Sequence, residues 1–308
     1  MAKSIMSTKE ILRNFCPPFM WKVGSSLIRP NPPKTYNKFH GLYGSFSEVY
    51  DTQKDQLSDP WTSQEWLDIS RQKLENITKN TYEIDELSPS YALLALLINN
   101  LKTDKPNVSV LDWGGGTGFL FWHLLPTLNR SVCWSIVDNV RLKKLCLDTM
   151  QDKMDALRAP EPQSPRAPEP QSPRAPEPLK SVPCSIKFEE DFPSSPDQFD
   201  ITVINTSLQY VTDQNKILEK LALYNPRYIV LLRLLAHPNQ SFITCQNIHG
   251  YNTPCRFSNL TEIKSVLKDL GYDPILIFGG GQDLSNSYDE SVPEACRVPY
   301  DTYAIFKK

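Results

Sequence analysis

The feature that most limits what this chain can fold into is the run Asp112-Trp-Gly-Gly-Gly-Thr-Gly118, set between two different apolar rhythms. Before it, Val108-Ser-Val-Leu-Asp112 reads as a short buried strand. After it, Gly118-Phe-Leu-Phe-Trp-His-Leu-Leu125 reads as a helix stopped near Pro126. The glycines let the backbone turn sharply and approach a ligand without Cβ atoms in the way. Their amides, at a helix N-terminus, are suited to a carboxylate as much as to a phosphate.

The same alternation continues downstream. Strands are predicted at Val132–Asp138, Cys184–Phe188, Phe199–Asn205 and Tyr228–Leu235, with helices at Val140–Leu157, Asp213–Tyr224 and Leu260–Leu270. Strands alternating with helices predict an α/β domain with a mostly parallel sheet. Two last strand candidates, Pro274–Phe278 and Tyr300–Phe306, have no convincing long helix between them, so an antiparallel C-terminal strand is expected. Upstream, helices are expected over Trp61–Lys79, capped by Thr62 or Ser63, and over Pro89–Leu101, with Ser88 as cap. The expected organisation is an arm or lid over 1–60, a helical segment over 61–106 and the α/β domain over 107–308.

The glycine spacing excludes two other ligands. A dinucleotide fingerprint needs Gly-x-Gly-x-x-Gly, but counting from Gly114 ends on Phe119 and from Gly116 on Phe121. No Gly-Lys-Ser/Thr follows, so a P-loop fails as well. An acid at the strand end, Asp112, with Gly114, Gly116 and Gly118 behind it, points to a sulfonium nucleoside cofactor, S-adenosylmethionine. Asp138 closes the next strand, twenty residues after Gly118, where a carboxylate can accept ribose hydroxyls; a helix N-terminal acid is the alternative. Asp191, in the run Glu189-Glu-Asp191, is a candidate for the adenine amino group. Asn205-Thr-Ser-Leu-Gln-Tyr210, with Asn205 first, enters the crevice where ligands of open α/β sheets bind.

Taken together, Phe39-His-Gly-Leu-Tyr-Gly-Ser-Phe-Ser-Glu-Val-Tyr50, Leu111-Asp-Trp-Gly-Gly-Gly-Thr-Gly118, Ser207-Leu-Gln-Tyr210, Arg233 and Gln246 resemble a family of bacterial class I S-adenosylmethionine-dependent methyltransferases, often encoded near surface-polysaccharide genes. The resemblance covers most of the chain. It implies a Rossmann-like class I methyltransferase sheet with a helical N-terminal extension and S-adenosyl-L-methionine as cofactor. It also implies O- or N-methylation of a glycan or small-molecule acceptor. One departure stands out: the family carries Asp-Arg-Thr-Pro after the fifth strand, and this chain has Leu232-Arg-Leu-Leu235. The alternative is a non-catalytic methyltransferase-like module in envelope polysaccharide assembly.

A hydroxyl acceptor calls for a general base. The candidates are Tyr210, His237 and His249, with Tyr251 and His123 behind them; His40, Tyr43 and Tyr50 are placed to close over the cofactor or merely to pack. No metal-ligand spacing is present among the seven cysteines, 16, 133, 146, 184, 245, 255 and 296, which read as reduced thiols of a cytoplasmic protein. The formal net charge of -2 gives no field for nucleic acid, and no Asn/Asp-Pro-Pro-Tyr/Phe run occurs. Residues 11–28 mix Phe15, Phe19 and Trp21 with Arg13 and Lys22, as a packed arm or a peripheral contact with the inner membrane would. Part of the high proline count of 26 lies in the octapeptide Arg158-Ala-Pro-Glu-Pro-Gln-Ser-Pro165, repeated and begun a third time up to Pro178. Without large apolar side chains, 158–178 cannot offset its ordering entropy and is expected to be an exposed insertion.

Overall fold

Each apolar strand read above carries two sets of side chains, one per face, and the fold covers both. The computed structural model describes residues 38–54, 57, 60–78, 89–158, 184–194, 199–248 and 250–308. The arm 11–28, the repeats beyond Arg158, Cys16, Ser88 and His249 lie outside them. In chain order the described strands are β1 (Lys38–Tyr43), β2 (Val108–Trp113), β3 (Val132–Val137), β4 (Cys184–Glu189), β5 (Ile201–Asn205), β6 (Tyr228–Leu234), β7 (Ala236–His237), β8 (Phe242–Ile248), β9 (Tyr251–Asn259), β10 (Asp273–Asp283) and β11 (Tyr300–Lys307). The helices are α1 (Phe46–Thr52), α2 (Gln64–Thr78), α3 (Pro89–Asn100), α4 (Phe119–Leu124), α5 (Val140–Arg158), α6 (Gln214–Leu223) and α7 (Leu260–Asp269).

Seven strands form one sheet in the order β10-β11-β6-β5-β2-β3-β4. Strands β2 to β6 of this sheet pair in parallel, and β11 runs antiparallel to both β6 and β10. This is the mostly parallel sheet with an antiparallel C-terminal strand that the strand pattern and the late helix-free hairpin led one to expect. Successive residues face opposite ways, so Val110, Ile136, Val203 and Val230 join one core while Leu111, Val137, Ile204 and Leu231 join the other. The first core is closed by Leu74 of α2, Leu94 and Ile98 of α3, Leu124 of α4 and Cys146 and Met150 of α5. The second is closed by Leu218 and Leu221 of α6 with Ile263 and Leu267 of α7. Each such side chain contributes roughly 1.5–3 kcal/mol on burial, which explains why the central strands read as continuous apolar runs.

Local chemistry sets the helix starts. The Trp66 amide donates to Ser63 Oγ at 3.1 Å, so Ser63 caps α2. Asp213 caps α6 by accepting from the Lys216 amide at 3.0 Å, and Asn259 caps α7 by accepting from the Thr261 amide at 2.9 Å. Six cysteines, all but Cys133 buried, are free thiols. Among the described residues no helix is long and apolar enough to cross a membrane, and no cluster of His, Cys, Asp and Glu could hold a metal.

A second sheet, in the order β1-β8-β9-β7, departs from expectation. The stretch beyond β6 reads as a loop in the sequence, but β8 and β9 form an antiparallel hairpin whose last pair is Ile248 with Tyr251. Strand β1 adds to its edge, placing Phe39 opposite Gln246. These strands pack against α1 and against Leu284, Tyr288, Val292 and Val298 of the segment between β10 and β11 rather than against crossover helices, so they lack the βα rhythm that marks the main sheet. Phe39 is 1% exposed and meets Phe257 edge-on at 5.0 Å, while Phe257 stacks on Phe242 at 4.8 Å. Phe39→Ala is therefore expected to destabilise the whole domain by about 3–5 kcal/mol, measured by urea denaturation. A loss below about 1 kcal/mol would show that β1 is not an integral strand.

Candidate functional site

In an open parallel sheet, ligands bind outside the carboxyl ends of the strands where the strand order reverses. Here the reversal lies at β2, which pairs with β3 on one side and β5 on the other. A cavity of about 400 Å³ opens there, a size suited to a small-molecule site. Its walls come from the segments that leave those strands: Gly114 and Gly116 after β2, Asp138 and Asn139 after β3, and Thr206, Ser207, Gln209 and Tyr210 after β5. Arg233 arrives on β6. Because β11 runs against β6 and pairs Thr302 with Leu234, its first residues, including Asp301, also reach this edge.

The glycine loop is shaped by close approach. Gly114, Gly116 and Gly118 have φ of +70°, +61° and +75°. A Cβ on Gly114 would lie 2.3 Å from Ser207 Oγ, and one on Gly118 2.7 Å from Ile136 Cδ1. Gly116 has nothing within 4 Å of that position, so its backbone faces open space. Three of the loop's amides are already engaged within the protein and do not form the free cradle expected from the sequence. Gly114 N donates to Val137 O at 2.8 Å, Gly116 N to Asp138 Oδ2 at 2.7 Å and Gly118 N to Gly115 O at 3.0 Å.

Two carboxylates hold this loop in different ways. Asp112 is fully buried and accepts from Trp134 Nε1 at 3.1 Å through Oδ2, while its Oδ1 has no partner. A Cβ on Gly115 would lie 2.5 Å from its Cγ, so Asp112 underlies the loop and is not among the residues lining the cavity. Burial pushes its carboxyl up to about 7, with the Trp134 bond opposing and the nearby Asp138 adding to the rise. Asp138 does line the cavity. Oδ2 takes the Gly116 amide, and Oδ1 takes the Asn139 amide at 2.6 Å and the Asn139 Nδ2 at 3.1 Å. Burial raises its carboxyl as well, and these hydrogen bonds oppose the rise. A carboxylate has about four acceptor positions, so a position remains for a ligand hydroxyl.

The opposite half of the cavity is aromatic and hydrogen-bonded. Tyr210 donates through its hydroxyl to Gln246 Oε1 at 2.8 Å and packs edge-on to Trp61 at 5.0 Å. Burial drives the Tyr210 phenol far up, so it stays neutral. Arg233 has a left-handed φ of +53° and donates through Nε to the buried Asp301 Oδ2 at 3.3 Å and through Nη2 to Gln282 Oε1 at 2.6 Å. Gln282 N in turn donates to Asp301 Oδ1 at 2.9 Å. Thr206, with φ of +60°, lines the same cavity. Non-glycine residues held there are costly and cluster at functional sites.

Of the residues singled out in the sequence, Gly114, Gly116, Asp138 and Tyr210 meet at this cavity; Asp112 and Gly118 shape its loop from behind. Asp191 is exposed and accepts from the Phe192 amide, and Asn205 ends β5 with a buried, unpartnered Oδ1; neither is a lining residue. His237 lies elsewhere: its Nδ1 accepts from Asn239 N at 3.2 Å and its Nε2 meets Ala295 O at 3.2 Å, so both ring nitrogens are engaged away from the cavity. His123 sits between Tyr91 and Phe119, each at 5.2 Å, and Tyr251 is no lining residue. The sequence reading passed over Trp61, Trp66, Lys73, Gln282 and Asp301 as site residues, although all line the cavity. They carry no motif, and only the tertiary fold brings them to the glycine loop.

The donor set fits an S-adenosyl nucleoside: an open backbone at Gly116, a carboxylate at Asp138 and the buried apolar Leu142 line one cavity. No protein-family model matches the chain, and no curated protein matches it either. Among solved structures it is similar to the Burkholderia thailandensis 1,6-didemethyltoxoflavin-N1-methyltransferase, at 12% identity over 82% of this chain and 91% of that one, TM-score 0.42. It is similar to the Synechocystis magnesium protoporphyrin IX methyltransferase at 12% identity over 85% and 95%, TM-score 0.41. A third likeness, to the mitomycin 7-O-methyltransferase, is 11% identical over 86% of this chain and 61% of that one, TM-score 0.43. Likeness at this level says nothing of substrate, and the chain's own residues decide the reading.

Gly114→Ala is expected to cost at least about 1–2 kcal/mol from its left-handed backbone alone, with Ser207 pushed aside as well; a Tm equal to that of the parent chain would count against this packing. Asp112 generates a pH signature. Its folded carboxyl keeps a proton to about 7 while the unfolded one loses it near 3.8, so folding takes up a proton in that window and stability falls as pH rises through it. Thermal scans from pH 4 to about 7 should show the parent chain losing stability relative to Asp112→Asn; parallel curves would refute the shift.

Proposed function

We propose that this chain is an S-adenosylmethionine-dependent methyltransferase acting on an oxygen or nitrogen of a small-molecule or glycan acceptor. The observation that carries the reading is the glycine loop and Asp138 on one wall of a cavity at the strand-order reversal, facing an aromatic, hydrogen-bonding wall across it. Asp138 and Leu142 would hold the nucleoside, and the open space beside Gly116 would take the methionine part. When bound, S-adenosylmethionine supplies an electrophilic methyl group on a sulfonium sulfur. The chain's own work is then to align an acceptor and exclude water, for which Trp61, Phe39 and Tyr210 provide an apolar surround and Arg233, Gln246 and Gln282 the polar contacts.

The described residues of the wall facing the glycine loop offer no ready general base. Tyr210 is neutral and donating, and Asp301 accepts from Arg233 and Gln282. A neutral nitrogen acceptor needs no base to become nucleophilic, whereas a hydroxyl does, so this wall favours the nitrogen over the oxygen acceptor. The same observation supports a second reading, a methyltransferase-like module that binds the cofactor without turnover. Formation of S-adenosylhomocysteine in the presence of small-molecule and glycan extracts separates the two.

Isothermal titration with S-adenosylmethionine tests the cofactor site directly. Losing a hydrogen bond to a charged group costs about 1.5–3 kcal/mol, so Asp138→Ala should weaken binding about 10- to 150-fold. No binding by the folded parent chain, or equal binding by the variant, would defeat the reading.

A further inference from the structure

The cavity holds a positive charge that pairs with no carboxylate among the described residues. Lys73 reaches it from α2, outside the sheet, and its Nζ lies 5.7 Å from the ring centroids of both Trp66 and Phe119. Phe119 is the residue after Gly118, so this ammonium stands beside the glycine loop. Arg233, the other cation lining the cavity, is matched by Asp301. Among the described residues Lys73 has no carboxylate within ion-pair distance. A lysine held next to apolar rings and facing a second cation attracts an anion to the space between them. The desolvation of its ammonium and the charge of Arg233 both hold it below the ordinary lysine value, the direction an anionic ligand would reverse.

What anion belongs there follows from the loop's own hydrogen bonds. The amides of Gly114, Gly116 and Gly118 are spent on Val137 O, Asp138 and Gly115 O. A carboxylate settling at this loop therefore meets no free cradle from those three amides, and Lys73 is the charged donor beside it. We propose that Lys73 is the counter-ion of the α-carboxylate of the cofactor's methionine part, so that α2 completes the site begun by the sheet. This rests on the S-adenosylmethionine reading above and adds to it a residue that recognises one end of the ligand.

Two nucleosides that differ in that carboxylate provide the test. S-adenosylhomocysteine carries it and 5′-methylthioadenosine lacks it, and both are titrated calorimetrically into the full chain and into Lys73→Met and Lys73→Arg. The expected result is that Lys73→Met weakens S-adenosylhomocysteine about tenfold or more and leaves 5′-methylthioadenosine unchanged, while Lys73→Arg largely keeps both. Lys73 pairs with no described carboxylate, and Met keeps a side chain of similar length beside Trp66 and Phe119, so an unaltered Tm for Lys73→Met is expected alongside. Equal affinity of S-adenosylhomocysteine for the parent chain and Lys73→Met would overturn the proposal while sparing the cofactor reading. So would a parallel loss for both nucleosides. Failure of S-adenosylhomocysteine to bind the parent chain would overturn the cofactor reading and this proposal with it.

Discussion

The cavity depends on how β2 ends. A strand paired on both sides and covered on both faces has no room to bend gradually, so the chain must leave it within a few residues. Glycine at 114 and 118 makes this possible, because a side chain at either position would strike Ser207 or Ile136. The buried carboxyl of Asp112 lies under the turn, close against Gly115, and is tied to Trp134 of the neighbouring strand. The turn is therefore held by β3 below and by the segment after β5 beside it. The cavity's position at the strand-order reversal is a consequence of that clamp.

The facing wall has a separate physical origin. The antiparallel β11 delivers Asp301 to the same sheet edge as Arg233, and a buried carboxylate beside a guanidinium stays only if its oxygens are satisfied. Arg233 Nε and Gln282 N supply those bonds, and the left-handed backbone at Arg233 is the cost of aiming that side chain. Above it, the β8–β9 hairpin contributes Gln246, which takes the hydroxyl of Tyr210. One half of the cavity is thus built from backbone turns at parallel strands, and to the other the antiparallel strands add Gln246, Gln282 and Asp301.

Legibility in the sequence follows this division. The strands of the main sheet were readable because burial on both faces writes continuous apolar runs, and the helices between them because one face must match the core. Asp112, Gly114, Gly116, Gly118 and Asp138 were readable because local geometry demands those residue types at those spacings. Strand β1 and the hairpin were not readable as a sheet: Phe39 pairs opposite Gln246, more than 200 positions away, and no local rhythm records such a partner. His237 drew notice as a loop histidine, yet its ring is consumed by Asn239 and Ala295. Lys73 drew none, being one of many helical lysines until the fold sets it beside Phe119.

By itself, then, the amino-acid order determined an α/β sheet with a reversed last strand, a glycine turn at the end of its first parallel strand and an acid at the end of the next. Each of these is a local demand of backbone conformation or of burial, and local demands leave marks at fixed spacing. Only the tertiary structure decided that the amides of Gly114, Gly116 and Gly118 are already taken, that Asp112 supports the turn from beneath and that Trp61, Lys73, Gln246 and Asp301 share one cavity with it. Those outcomes depend on which distant surfaces meet, and contact between distant surfaces is set by the packing of the whole core rather than by any neighbouring residues.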